Sequence, residues 1–583
     1  MEQNDWDDDE TEAYQAALEA HDHERRAHEF SSTLAVCVAL GSYGLLAAAL
    51  WFLFGADRMR VGPAMLCVLG FVIALAWGSA NRPGPAGPQP PRSSPLGNAR
   101  FASGRMLNAA RATLSCVLDG TGIFLGYWLG MPLLYKGQNS LITVGAPGSG
   151  KFATLIASLL LSWRGGSMVM NDPKGEGAAV TGRWRALFSR LVVLNPFNLC
   201  PDIRHMRGMR WNPLLELNPS LDSFADDCEA IAHALILRGG SSDPHWLDAA
   251  QKLIAGLIAF VRTHPSETPT LPRVVEILHL STEFFIATMM EVAESPLPIC
   301  QDAAAPWLSE SAATNKELSS IRSSAQTQLG SLRRSKALAY LLSGSDFKFS
   351  DIKRLKMSVY ICLPEHLAKM HARFTRLVYS AAIQASMRLP YAPVLFVMDE
   401  LATSLGDEQL EAVTTAFALG RGYGVRLHVF FQSDAQREAL FGKKANAIAA
   451  SAGVIQYFQA ADETTFRLMS ERAGNRTVWY ESTSSSSGHS TSQNGQGGGQ
   501  GSTSSNTGTS TSEHATAQPL VDRKLAYEGL GKPSAENDWH ARQLLFVEGL
   551  ASPVLADRFA YWVDGNLPGE PDPNPYAARQ ESA

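Results

Sequence analysis

Three patterns of apolar and polar positions succeed one another along this chain. First, residues 31–56 and 61–81 carry no Asp, Glu, Lys or Arg, and only Asp57-Arg58-Met59-Arg60 separates them. Each run is at least as long as the ~20 helical residues that cross a hydrocarbon core of about 30 Å, so it predicts two transmembrane helices with a short periplasmic loop. Arg25, Arg26, Arg82, Arg92 and Arg100 flank the pair, which by the positive-inside rule puts both ends in the cytoplasm. The second pattern is a set of short apolar runs, often β-branched, most of them closed by a polar residue or glycine. These are 141–144 before Gly145, 168–170 before Asn171, 191–194 before Asn195, 359–362, 394–398 before Asp399, and 427–431 before Gln432. Such strands belong to parallel sheets covered on both faces, which bind ligands beyond the strands' C-terminal ends. The stretch 117–134 is apolar but broken by Asp119 and several glycines, so it predicts strands and turns instead of a third span. The third pattern lies between 222 and 343, where Trp246-Leu247, Leu253-Ile254, Leu257-Ile258 and Val274-Val275 recur at helical spacing. It predicts an all-α domain inserted into an α/β one.

Residues 481–517 are mostly Ser, Thr, Gly, Asn and Gln. They bury too little apolar surface to offset ordering entropy, and read as a disordered loop. After it, 544–547 and 558–561 read as returning strands, and 566–583 as a loose Pro-rich tail.

With 583 residues the chain is long enough for several domains, and its net charge of −6 excludes a uniformly basic coat for nucleic acid. A pore lined with basic residues stays compatible with that charge. The seven cysteines form no C-x-x-C pair, which argues against structural zinc and disulfides. The acidic lead contains His21, His23 and His28, which read as a solvated tail before they read as metal ligands.

Gly145-Ala146-Pro147-Gly148-Ser149-Gly150-Lys151 fits G-x-x-x-x-G-K, follows a predicted strand, and precedes an apolar helix starting near Phe152 and Ala153. This is a phosphate loop: glycines let backbone N–H groups surround phosphate oxygens, and Lys151 neutralises the β/γ charge of ATP. Phe152 stands where Ser or Thr normally reaches Mg²⁺. The metal is then held by phosphate, water and a distant carboxylate, or by a rearranged Ser149. Asp399, at a predicted strand end, supplies that carboxylate and would hold Mg²⁺ through water, and Glu400 would polarise the attacking water. Gln432 is a candidate γ-phosphate sensor, and Arg421, on a glycine-rich loop, a candidate finger toward a neighbouring subunit.

These motifs resemble those of the type IV coupling proteins, the TraG-like ATPases of conjugation and type IV secretion. Asn171-Asp172-Pro173-Lys174-Gly175-Glu176 is similar to their D-P-K-G-E signature, so Asp172, Lys174 and Glu176 are signature residues. Trp211-Asn212-Pro213-Leu214, Asp399-Glu400 and the segment 420–436 also match, and the family often lacks Ser or Thr after the lysine. The resemblance implies a RecA-like P-loop NTPase with an inserted all-α domain and an N-terminal two-helix transmembrane hairpin. It implies a homo-hexamer at the bacterial inner membrane, hydrolysing ATP with Mg²⁺. It further implies delivery of a relaxase with single-stranded DNA, or of effector proteins, to a type IV secretion channel. The expected layout is an acidic tail (1–30), membrane hairpin (31–81), linker (82–100), nucleotide-binding parts (101–221, 344–480, 518–565), helical insert (222–343), polar loop (481–517) and tail (566–583). Two other readings stand beside it: a hexameric DNA translocase for chromosome segregation, and a nucleotide-binding scaffold without turnover.

Overall fold

A computed structural model describes residues 94–238, 244–388, 392–491 and 503–577. The expected acidic tail and both apolar runs lie outside them; among the described residues no helix is long and apolar enough to cross a membrane.

In chain order the strands are β1 (Leu114–Ser115), β2 (Ile123–Trp128), β3 (Met131–Tyr135), β4 (Leu141–Val144), β5 (Ser167–Asn171), β6 (Arg190–Leu194), β7 (Met357–Ile361), β8 (Val394–Met398), β9 (Val425–Phe431), β10 (Val454–Tyr457), β11 (Asn475–Thr491), β12 (Thr503–Pro519), β13 (His540–Val547) and β14 (Val554–Phe559). All but β11 and β12 join one sheet in the order β1-β3-β2-β14-β13-β10-β4-β9-β8-β5-β7-β6. From β10 to β6 every pairing is parallel. From β10 back to β1 the pairings are antiparallel.

The apolar runs behave as a doubly covered sheet requires. Every residue of β4, β5, β7, β8, β9 and β10 is buried. Successive side chains point to opposite faces. Ile142, Val169, Phe396, Met398, Val429 and Phe431 join one core, while Leu141, Met168, Met170, Leu395, Val397 and Phe430 join the other. The second face is covered by the helix after β4, which contributes Leu155, Ile156, Leu159 and Leu160. That helix opens with a π-helical turn, Phe152–Ile156, and continues as α1 (Ala157–Ser162). The helix α2 (Glu176–Ala186) follows β5 and adds Ala178 and Ala179 to this face.

The first face continues into the helices between β6 and β7. The chain leaves the sheet at Trp211, which is buried and donates to Glu216 Oε1 at 2.5 Å. Asn212 accepts from Leu214 N at 3.0 Å and donates to Pro269 O at 2.8 Å, which fixes this corner. From there only helices occur among the described residues up to β7, among them α3 (Phe224–Leu235), α4 (Pro244–Thr263), α5 (Leu271–Leu278), α6 (Thr282–Ala293), α7 (Pro298–Ala304), α8 (Lys316–Arg334) and α9 (Lys336–Leu341). Leu253, Ile254, Leu257, Ile258, Val274, Val275 and Ile277 are buried in one core with the sheet. The helical spacing seen in the sequence therefore marks α5 and the part of α4, residues 253–261, that is buried on all sides.

Two further segments complete the described residues. Within the polar tract, residues 481–491 and 503–517 lie in β11 and β12, a two-stranded ribbon separate from the main sheet. Ser482 pairs with Ser512 at 2.9 Å and Ser484 with Ser510 at 2.8 Å, so the strands run antiparallel. Within the ribbon the backbone pairs internally, and cross-strand hydroxyls add to that pairing. The described part of the tail, up to residue 577, bonds to α2. Asp572 N donates to Val180 O at 2.8 Å, and Arg183 pairs with the Asp572 carboxylate at 2.6 Å. Its prolines stop it forming helix or sheet but leave its polar side chains available to bond α2.

Candidate functional site

The parallel register gathers the motifs at one edge of the sheet. Val144 is paired with Phe431, so Gly145 and Gln432 follow side by side; Asn171 is paired with Met398, so Asp172 and Asp399 do the same. Asn171 Nδ2 donates to Asp399 O at 2.8 Å and to Ser404 Oγ at 2.8 Å, tying the two loops together. The result is a cavity of about 530 Å³ lined by Pro147, Gly148, Gly150, Lys151, Phe152 and Ala153 from the glycine loop. Asp172, Lys174, Glu176, Asp399, Glu400 and Gln432 line it too. Such a volume suits a small-molecule ligand.

The glycine loop has the conformation its sequence demands. Gly148 and Gly150 lie at φ +71° and +83°, and a Cβ on Gly150 would stand 2.6 Å from Pro533 Cγ. Lys151 Nζ donates to Gly145 O at 2.8 Å. Phe152 packs edge-on to Tyr561, with ring centroids 6.2 Å apart. Thr154 does not substitute for the missing hydroxyl. Its Oγ1 donates to Gly150 O at 2.8 Å and accepts from Arg558 Nη1 at 2.9 Å. Ser149 Oγ is buried with no hydrogen-bond partner among the described residues, the one hydroxyl near the loop left uncommitted.

The acidic groups are strongly perturbed. Burial pushes the Asp172 carboxyl up to about 7, against the N–H groups of Gly177 and Ala178, which donate to it at 3.1 and 2.7 Å. Those bonds cap α2. Asp399 is pushed up to about 6, by desolvation first and the Glu400 charge second, with Lys151 opposing. Glu176 is also raised by burial, while Asn574 Nδ2, bonded to it at 2.5 Å, pulls the other way. Glu400 sits at φ +49°, a left-handed conformation uncommon for its type, and accepts from Gln432 Nε2 at 2.9 Å through both oxygens. Strain of this kind clusters at working sites.

Among the described residues no group of three or more His, Cys, Asp or Glu is placed to hold a metal ion unaided. The oxygen donors Asp399 and Glu400 fit Mg²⁺, which keeps several waters and takes one or two carboxylates beside substrate phosphates. Arg421 is not brought to the cavity. It is exposed in the turn Gly420–Tyr423, before β9, whereas Gln432 follows the far end of that strand, roughly 20 Å away at about 3.3 Å per residue.

Sequence reasoning missed several residues here. Arg558 on β14 is fully buried beneath the glycine loop. It donates to Ser149 O at 2.7 Å, Arg542 O at 3.1 Å and Gly531 O at 3.1 Å, and lies 3.8 Å over the Phe458 ring. Its parity was the available signal: β14 buries alternate residues, and Arg558 shares the inward face with Val554 and Ala556. Glu365, Pro533, Trp539 and Trp562 also line the cavity. Tyr576, in the tail, donates to Lys174 O at 2.7 Å.

The family described as "Type IV secretory system Conjugative DNA transfer" matches residues 101–501. "Conjugal transfer protein TraG" of Escherichia coli is 26% identical over 375 residues, 58% of this chain and 57% of that protein. "Protein VirD4" of Rhizobium radiobacter is 26% identical over 373 residues, 61% of this chain and 51% of its own length. The matched region thus spans about half the length of these curated relatives. Among solved structures, "Bacterial conjugative coupling protein TrwBdeltaN70" in its unbound monoclinic form is similar with TM-score 0.55 and 17% identity, covering 80% of this chain and 93% of that one. "Plasmid coupling protein TrwB in complex with ADP and Mg2+" gives TM-score 0.55 at 16% identity, covering 82% and 97%. At such identity the likeness shows the fold alone, an α/β fold with a mixed sheet. Motifs, register and family match converge: the chain belongs to the type IV secretion and conjugation coupling protein family.

Proposed function

We propose that this chain is an ATPase that drives substrate transfer through a type IV secretion channel. One observation carries the proposal: Lys151 and the glycine loop share a single cavity with Asp399, Glu400 and Gln432. The loop amides and Lys151 would seat the β- and γ-phosphates, with Gly148 and Gly150 in the backbone conformation that lets the loop curl around them. Asp399 would hold Mg²⁺, which neutralises phosphate charge when bound. Glu400, its carboxylate oriented by the Gln432 amide, would polarise the attacking water. The TrwB structures named for ADP with Mg²⁺ and for the ATP analogue ADPNP support nucleotide use on this fold.

The finer reading follows the relatives. The two apolar runs would anchor a homo-hexamer in bacterial inner-membrane lipid, the bulk of the chain facing the cytoplasm. Relaxase with single-stranded DNA, or effector proteins, would be recruited and passed to the secretion channel. Arg421, remote from its own cavity, would serve a neighbouring subunit's site in such a ring. Phe152 favours the scaffold reading, since it removes one metal ligand. Steady-state phosphate release by the purified full chain, with Lys151→Ala beside it, separates the two. Turnover lost in the variant supports the motor, whereas nucleotide binding with no turnover in the unaltered chain would leave the scaffold.

A further inference from the structure

The cavity has two unlike sides, and sheet order separates them. Asp399, Glu400, Gln432 and Asp172 follow β8, β9 and β5, all on one side of the glycine-loop strand β4. Pro533, Trp539 and Trp562 come from the segments flanking β13 and β14, on the other side of β4. This second side carries no carboxylate: its lining is a proline ring and two indoles, with Phe152 and Ala153 between it and the loop.

The two indoles meet edge to face, centroids 5.1 Å apart at 75°, and form a corner. Trp562 is 40% exposed, an unusual loss of apolar burial for so large a side chain. Its backbone is fastened to the loop helix, because the preceding Tyr561 donates its N–H to Ala153 O at 2.8 Å. Trp539 is held by a strained turn. Asp538 and Trp539 are consecutive left-handed residues, at φ +53° and +57°, and Trp539 N donates to Ser534 O at 2.7 Å. A bulky side chain rarely adopts that conformation, and a Ser534–Asn537 capping box locks the turn that imposes it. Simple packing of the C-terminal hairpin would not need a strained turn to bring an indole to the cavity wall.

We infer that Trp539 and Trp562 form the nucleobase seat of this site, stacking on a purine ring while the glycine loop holds the phosphates. The inference rests on the nucleotide reading above. With the γ-phosphate end committed to Lys151 and the acids, the nucleoside must extend away from them, and the aromatic corner is the cavity's remaining wall. Stacking uses a π-face common to every base, so adenine and guanine nucleotides should bind comparably.

The test is equilibrium binding to the full chain of three probes: ATP, GTP and inorganic tripolyphosphate, which has no base. Trp539→Ala and Trp562→Ala should each weaken ATP and GTP by about fivefold or more, while tripolyphosphate binding holds. Trp562→Phe should restore most of the loss, since a ring face returns. ATP affinity unchanged in both alanine variants would overturn the inference, as would an equal loss for ATP and tripolyphosphate. Lys151→Ala should weaken all three probes together. If it weakens none, the nucleotide reading itself fails, independently of the tryptophans.

Discussion

Arg558 supports the glycine loop from below, and replacing it with methionine isolates what that support contributes. Methionine fills similar space but donates nothing. Ser149 O and Thr154 Oγ1 would each lose a donor in a buried setting, and Gly531 O and Arg542 O in a partly buried one. A buried acceptor left without its partner costs about 1–3 kcal/mol. These losses are partly offset by removing a desolvated guanidinium, whose pKa burial has already pushed down to about 9. No carboxylate bonds to Arg558 among the described residues, so no buried anion is stranded. The net loss should be about 3 kcal/mol, in the range of two buried acceptors left without a donor. Because Ser149 and Thr154 bracket the loop, that loss should fall there first. Amide hydrogen exchange of residues 145–156 in the purified chain would then speed up by about a hundredfold, and ATP affinity would drop with it. Arg558→Lys, which keeps the charge but loses the fork, should fall between. Unchanged exchange across that segment in Arg558→Met would refute the reasoning.

Glu400→Gln should bind ATP as the unaltered chain does and release no phosphate in steady state; undiminished turnover would reject Glu400 as the group acting on water. Gly150→Ala should cost about 1–2 kcal/mol from the left-handed backbone alone, before its methyl meets Pro533, and a thermal scan of the full chain would show it as a lower midpoint. For Asp172, burial raises the carboxyl from 3.8 to about 7, so the folded chain holds a proton that the unfolded chain releases. Stability from this group is then complete below about pH 4 and is lost as pH rises through about 7. Asp172→Asn should flatten the fall in denaturant midpoint across that window, and an unaltered slope would show that Asp172 is not its source.

The sequence made legible those parts of the site that sit on strands read by their own apolar runs. Gly145, Asp172, Asp399 and Gln432 each follow such a run, and parallel pairing alone brings them together. The aromatic side of the cavity was not legible. Trp539 and Trp562 belong to segments whose position depends on antiparallel pairing of β13 and β14, which no local pattern specifies. Arg558 was hidden because a buried arginine looks like a surface one until strand parity is taken into account. The polar ribbon makes a related point: composition reports burial, whereas β11 and β12 pair through backbone and hydroxyl contacts. Arg421, read as a finger toward a neighbouring subunit, is separated from Gln432 by the length of β9.

The placement of β14 beside the glycine loop has a consequence for biosynthesis. All the signature segments have left the ribosome's active centre once residue 436 is made, yet the arginine that braces the loop is added about 120 residues later, a delay of several seconds at roughly 5–20 residues per second. A nascent chain in that interval carries every recognisable motif but not the arginine that braces the phosphate loop. Full nucleotide affinity should therefore arrive late during translation. A chain halted near residue 540 should bind nucleotide weakly however complete its motifs.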